Sequence, residues 1–194
     1  VEDAGWGHGG KGHAYREQLR ANRLGLWLFF ASESFMFGGL LASRFYLWGN
    51  TRPDLDQTVG LAVTSILLLS SFFMNRAETA MAHGDQKNFL RGTLITMLLG
   101  VIFLVGVLGV EWRIAHFRPW DSAMGSLFYA MTGFHAFHVL TGVIFLGIVY
   151  RNGRRGIYNA ERHFPVEAAA VYWHFVDVVW VFFYPALYLM GRVI

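Results

Sequence analysis

The sequence predicts an all-α, polytopic membrane protein, a bundle of five transmembrane helices with the N-terminus in the cytoplasm and the C-terminus outside. Of its 194 residues, 55% are hydrophobic and only 15% are charged, whereas a soluble domain carries about 25% charged residues. The 18 Phe and 7 Trp exceed what a soluble domain of this size can bury. The net charge of +3 is carried largely beside apolar runs, and this favours membrane topology over nucleic-acid binding.

Five segments contain the roughly 20 mostly apolar residues that a spanning helix needs. They cover 24–48, 58–81, 92–110, 122–150 and 166–190. Turn-forming residues follow the first four spans in order: Gly49-Asn50 with Pro53, His83-Gly84-Asp85, Pro119, and the Arg/Gly run 151–156. Glycines within the spans predict close helix packing: Gly38, Gly39, Gly100, Gly106, Gly109, Gly133, Gly142 and Gly147.

The distribution of basic residues predicts the orientation. The N-terminal tail, the second loop and the fourth loop hold 11 of the 16 Lys and Arg residues, and the positive-inside rule places these segments in the cytoplasm. Residues 1–22, rich in Gly and His, are expected to form a flexible cytoplasmic tail before a transmembrane domain over 23–194. The fourth loop contains Arg151, Arg154 and Arg155. We expect these arginines either to contact lipid head groups or an acidic partner, or only to determine the orientation of the chain in the membrane.

Five ionisable side chains lie in the middle third of the bilayer when each span is laid out at about 1.5 Å per residue. They are Glu33, His135, His138, His174 and Asp177. Spacing of three residues places the first two histidines on one helix face, and likewise His174 and Asp177. Such groups are costly at this depth and are retained with a partner or a task. Packing hydrogen bonds, contacts with lipid or a partner subunit, and proton carriage by Glu33 all remain open.

Two other functions are compatible with some of these residues. An independent membrane cytochrome would use His138 and His174 as haem ligands, but small residues that make room for a porphyrin are not concentrated there. An ion transporter would use the mid-membrane carboxylates, but the sequence has no internal repeat. The chain also contains no cysteine, which excludes disulfides, c-type haem attachment and thiolate-held copper.

Several motifs resemble one family. The segment Tyr172-Trp-His-Phe-Val-Asp-Val-Val-Trp180, with its Trp173, is similar to the last-helix signature of subunit III of the haem–copper oxidases. The segment Gly133-Phe-His-Ala-Phe-His-Val-Leu-Thr-Gly142 resembles the fourth-helix motif of its five-helix members, although the family usually has Gly at Ala136. Glu33 and the pair Glu111-Trp112 also match the family pattern. The likeness runs from about residue 24 to the C-terminus.

The resemblance implies a non-catalytic subunit of a proton-pumping terminal oxidase in a bacterial plasma membrane. Haems and copper are then expected in the catalytic subunit I, with no cofactor, metal ligand or catalytic residue in this chain. Such a subunit packs beside subunit I and other oxidase subunits, holds phospholipids, supports proton uptake and limits inactivation during turnover. The electron donor, cytochrome c or quinol, and membership of a respiratory supercomplex stay open, as does an accessory role in a nitric oxide reductase.

Overall fold

The computed structural model describes the backbone of residues 9–193 and the side chains of residues 17–193. Its main elements are five long helices: α1 (Gly9–Trp48), α2 (Gln57–Ala82), α3 (Gln86–Leu104), α4 (Ala123–Arg154) and α5 (Phe164–Tyr184). All five contain stretches long and apolar enough to cross a membrane. The predicted all-α membrane fold with five spanning helices is therefore confirmed.

Side-chain caps explain where three of the helices begin. Asp56 accepts hydrogen bonds from the backbone of Thr58 (2.8 Å) at the start of α2, and Asp85 accepts one from Asn88 (3.0 Å) at the start of α3. Ser122 accepts one from the amide of Gly125 (3.0 Å) at the start of α4. Each cap satisfies an amide that has no partner within its own helix.

Two helices continue as wider π-helical turns. The helix α3 extends through the π-helical segment Val105–Glu111 and the short turn Trp112–Ile114, and α5 extends through Pro185–Leu189. Pro185 lacks an amide donor and so cannot continue regular α-helical bonding. The third spanning stretch, Gln86–Ile114, is thus ten residues longer than the predicted 92–110, because helical hydrogen bonding continues through polar turns at both ends.

By backbone contacts the chain divides into two compact units, Val1–Met36 and Phe37–Ile194. The described part of the first unit is the N-terminal portion of α1, where Trp27 and Phe35 are exposed. Helix α1 already begins at Gly9, so residues 9–22 are helical, while residues 1–8 lie outside the described residues. That residues 1–22 form a flexible cytoplasmic tail stays a prediction.

In the second unit, four helices pack in a closed ring. Helix α2 packs against α3 and α5, α3 packs against α4, and α4 packs against α5. The last part of α1, from Phe37 onward, belongs to the same unit. Phe37 is buried there, with its ring 5.7 Å from that of Phe183 on α5.

A buried arginine holds the chain termini of this unit together. Arg44 is 1% exposed and donates to the carbonyl oxygens of Ala186 and Met190, each at 2.6 Å. It also donates to Gly49 at 3.0 Å. Beside it, the strand Thr51–Arg52 pairs in parallel with Arg192–Val193. Arg44 thereby supplies donors to carbonyls at the end of the last helix, which have no helical partner of their own.

Candidate functional site: polar contacts between the spanning helices

The two signature tryptophans of α5 join it to α2 by hydrogen bonds. The indole nitrogen of Trp173 donates to the hydroxyl of Ser70 at 2.9 Å, and that of Trp180 donates to the hydroxyl of Thr64 at 2.9 Å. Both tryptophans are at most 1% exposed. Two polar bonds between the same pair of helices fix how α5 lies along α2.

Trp173 also fills the space between α3 and α4, where glycines make room for its ring. A Cβ atom built on Gly100 would lie 2.5 Å from Cη2 of the indole, and one built on Gly142 would lie 3.1 Å from Cε3. The close packing predicted at Gly100 and Gly142 is confirmed. At Gly38 and Gly39 no described atom of this chain lies within 4 Å of a Cβ built there, so close packing at these two positions stays a prediction.

His135 forms a buried link from α4 to α5. The side chain is 0% exposed and its Nε2 atom lies 3.0 Å from the carbonyl oxygen of Val176. Because a carbonyl only accepts, Nε2 must carry the hydrogen. The ring packs 4.7 Å from Trp180 and edge-on to Phe103 at 5.5 Å. His135 therefore acts as a helix-to-helix donor inside an aromatic cluster.

His138 lies against a different neighbour, although only three residues separate it from His135. Its Nδ1 atom faces the carbonyl oxygen of Phe134 in its own helix at 2.8 Å, and its ring lies 4.9 Å from that of Phe37. Three residues turn a helix by about 300°, which leaves the two side chains about 60° apart. This angle is enough to direct them into adjacent interfaces.

His174 and Asp177 on α5 form a third polar site, opposite α2. The Nδ1 atom of His174 lies 2.6 Å from the hydroxyl of Ser71. Asp177 is only 4% exposed, and within the described residues neither carboxyl oxygen makes a hydrogen bond of ordinary geometry. His174 and Asp177 share a helix face, as predicted, but they form no direct hydrogen bond with each other.

The predicted polar residues contact different neighbours. His135, His138 and the His174–Asp177 pair occupy three separate places within the second unit. Glu33 is half-buried and belongs to the first unit. The arginines predicted to meet head groups, Arg151, Arg154 and Arg155, are exposed at the end of α4.

Glu111, noted in the sequence only as part of a motif, is buried at the end of the π-helical segment. It is 5% exposed, and within the described region both carboxyl oxygens lack a hydrogen-bond partner. Its neighbour Trp112 donates from the indole nitrogen to the hydroxyl of Thr132 on α4 at 3.1 Å. The acidic-aromatic pair therefore has one member that joins two helices and one that lines a cavity near the loop after α1.

The hydroxyl acceptors on α2 were missed by the sequence analysis. Thr64, Ser70 and Ser71 receive or face the polar atoms of Trp180, Trp173 and His174. Their signal in the sequence is a set of small hydroxyl residues six and seven positions apart within an apolar span. Hydroxyls in spanning helices also bond to carbonyls of their own helix, as Thr64 does to Gly60 at 2.7 Å, so spacing alone does not reveal the interhelical partner.

The rings of His135 and His138 lie among packed side chains. His135 is held by a carbonyl on α5 and His138 by one on α4, and both rings pack against aromatic side chains. The space between α2, α3 and α4 is filled by the indole of Trp173. The expectation that this chain holds no haem stays a prediction.

These features define a class: a membrane-embedded helical subunit whose buried polar groups join helices to one another. A sequence model of cytochrome c oxidase subunit III matches residues 8–192. The chain therefore belongs to the cytochrome c oxidase subunit III family, and its role is that of the subunit III of a terminal oxidase.

Individual relatives agree with this assignment. "Cytochrome c oxidase subunit 3" of Thermostichus vulcanus is 36% identical over 176 residues, which cover 87% of each chain. The proteins of the same name from Equus caballus and Salmo salar are each 34% identical, over 93% of this chain and 74% of the relative. The similarity thus covers nearly the whole chain described above.

Proposed function

We propose that the chain is the non-catalytic subunit III of a haem–copper oxidase that reduces oxygen in aerobic respiration. It packs beside the catalytic subunit I, which holds the haems and copper. It lies in a bacterial plasma membrane with its N-terminus in the cytoplasm. The cyanobacterial relative, similar along 87% of both chains, supports the bacterial membrane, and the basic loops support the orientation.

The family match over residues 8–192 is the observation that carries this proposal. The names of the relatives favour cytochrome c as electron donor and an oxygen-reducing complex over a nitric-oxide-reducing one. The contacts of His135 and of the two signature tryptophans support a structural role, since each engages a group on a neighbouring helix.

Two carboxyl groups, one half-buried and one buried, support a role in lipid retention and proton supply. Glu33 and Asp177 lie within spanning helices, where an ionisable group is retained for a partner or a task. Asp177 stands beside the half-buried His174 at the α2–α5 interface. We assign these groups to contacts with phospholipid or subunit I and to keeping protons available near the catalytic subunit, with Arg151, Arg154 and Arg155 meeting lipid head groups.

Isolation of the tagged chain from its native membrane in mild detergent tests the assignment. The expected companions are a haem–copper subunit I and further oxidase subunits, with oxygen consumption driven by reduced cytochrome c. Copurification with a nitric-oxide-reducing enzyme would refute the oxidase assignment. A Soret band in the chain separated from all companions would refute its role as a subunit without redox centres.

The variant Glu33→Gln tests the supporting role, with Glu161→Gln in an exposed loop as the control. We expect both variant complexes to assemble and to complete the first turnovers at the normal rate. Glu33→Gln alone should change the number of turnovers before inactivation, or the lipid retained. Loss of the first oxygen-reduction turnover in an assembled Glu33→Gln complex would contradict the supporting role.

A further inference from the structure

The hairpin between α2 and α3 opens into a groove that none of the roles above uses. The groove has a volume of about 500 Å³ and is lined by Arg76 and Thr79 of α2, by His83 just after it, and by Asn88 and Arg91 of α3. By the distribution of basic residues, this end of both helices faces the cytoplasm.

Two cationic side chains in this groove lack an anionic partner. Arg76 and Arg91 are both exposed, and neither makes a hydrogen bond or ion pair with another described residue. The single aromatic contact of Arg76 is with Phe72, whose ring centre lies 5.9 Å from the guanidinium carbon. The groove therefore presents two free guanidinium groups from two different helices.

The acidic residue of the groove does not neutralise them, because its carboxylate is already engaged. Asp85 accepts from the backbone amide of Asn88 at 3.0 Å and from its side-chain amide at 2.6 Å. These bonds hold the pKa of Asp85 below its ordinary value, so the group stays ionised at the start of α3. Its charge is directed to the helix terminus, where an anion is favourable.

Below the arginines, both helices present exposed apolar side chains at helical spacing. On α2, Phe72 (56% exposed) and Leu69 (49%) follow Arg76 down the same face. On α3, exposed apolar residues follow Arg91 at intervals of three and four: Ile95, Leu98 and Ile102. The surface thus changes from cationic to apolar along one line from the membrane boundary inward.

We propose that this groove binds an anionic glycerophospholipid, with its phosphate between Arg76 and Arg91 and its acyl chains along the apolar stripe. Guanidinium groups pair with phosphate oxygens through charge-assisted hydrogen bonds. An acidic protein segment would also meet the arginines, but the apolar continuation into the hydrocarbon layer matches an amphiphile. The proposal rests on the membrane embedding of the chain, and not on its place in the oxidase.

Native mass spectrometry of the purified complex that contains this chain tests the proposal by titration with phosphatidylglycerol. We expect Arg76→Gln/Arg91→Gln to retain one anionic lipid fewer than the unchanged complex, with affinity reduced about tenfold for each arginine removed. Lys87→Gln is the matched control, since Lys87 is an exposed cation in the same hairpin outside the groove. It should retain the lipid, and phosphatidylcholine should compete poorly.

Three outcomes of this titration would contradict the proposal. Equal retention of phosphatidylglycerol by the double variant and the control would overturn it. Displacement of the lipid by inorganic phosphate at equal concentration would show an anion site without lipid specificity. Loss of a companion polypeptide from the double variant, with lipid unchanged, would show that the arginines bind a protein instead.

Discussion

The packing of Trp173 against Gly100 makes a quantitative prediction for the variant Gly100→Ala. The new Cβ atom would stand 2.5 Å from Cη2 of the indole and 3.0 Å from Cγ2 of Val143. The ring has little freedom to retreat, because its nitrogen donates to Ser70 and its other side lies against Gly142. One of the packed elements must therefore shift.

Two destabilising contributions and one stabilising contribution set the size of the effect. Forcing a methyl group into a well-packed core costs about 1–3 kcal/mol, and loss of the bond from Trp173 to Ser70 would cost about 1 kcal/mol more. Replacing a helical glycine by alanine returns roughly 0.5–1 kcal/mol. We expect Gly100→Ala to lower the free energy of unfolding by about 1–3 kcal/mol.

Gly147→Ala on α4 is the matched control. A Cβ atom there would lie 3.6 Å from Cε of Met97, which is ordinary contact, so this variant should be neutral or slightly more stable. The assay is unfolding by SDS in mixed micelles, followed by circular dichroism. If Gly100→Ala proves as stable as Gly147→Ala, the indole of Trp173 is not confined between Gly100 and Gly142.

Two further predictions concern single charged residues. Arg44→Gln should lower the free energy of unfolding by about 2 kcal/mol or more, because buried carbonyls at the end of the last helix lose their donors. The same SDS titration measures this loss, with the exposed Arg192→Gln as the control. Equal stabilities of the two variants would show that the hydrogen bonds of Arg44 do not stabilise the fold. Asp85, whose pKa is lowered by the amides of Asn88, should stabilise the start of α3 fully above the ordinary aspartate pKa and lose this effect as the pH falls through its lowered value. Hydrogen exchange of the Asn88 amide, corrected for intrinsic rates, should become faster as the pH falls in the unchanged chain but not in Asp85→Asn. An identical pH profile of exchange in the two proteins would show that the Asp85 carboxylate does not stabilise the start of α3.

The five spanning helices were predictable because each corresponds to one continuous apolar segment of the sequence. An apolar run of sufficient length leaves the backbone no alternative to a helix in lipid, and the turn residues between runs mark the connections. The boundaries were less predictable: α3 begins at Gln86 rather than 92, since a cap such as Asp85 starts a helix wherever it lies relative to the bilayer.

The partners of the polar groups were not predictable for a different reason. Spacing correctly placed His135, His138, His174 and Asp177 in spanning helices, but it carries no information about which helix packs on each face. Arg44 shows the same limit, since its acceptors at Ala186 and Met190 lie more than 140 residues away in the chain. Such contacts arise when the four helices pack against one another, and no local sequence pattern contains them.

The bonds between α2 and α5 show how one short motif can set the register of two helices. Thr64 pairs with Trp180 and Ser70 pairs with Trp173, so the order of partners is reversed and the helices are antiparallel. Six residues on α2 span about 9 Å and seven on α5 about 10.5 Å, so both bonds form together only in one alignment. That alignment also brings His174, next to Trp173, onto the hydroxyl that follows Ser70. The tryptophans therefore determine where the polar side chains of the same motif lie, and a slip of one helical turn would break every bond at once.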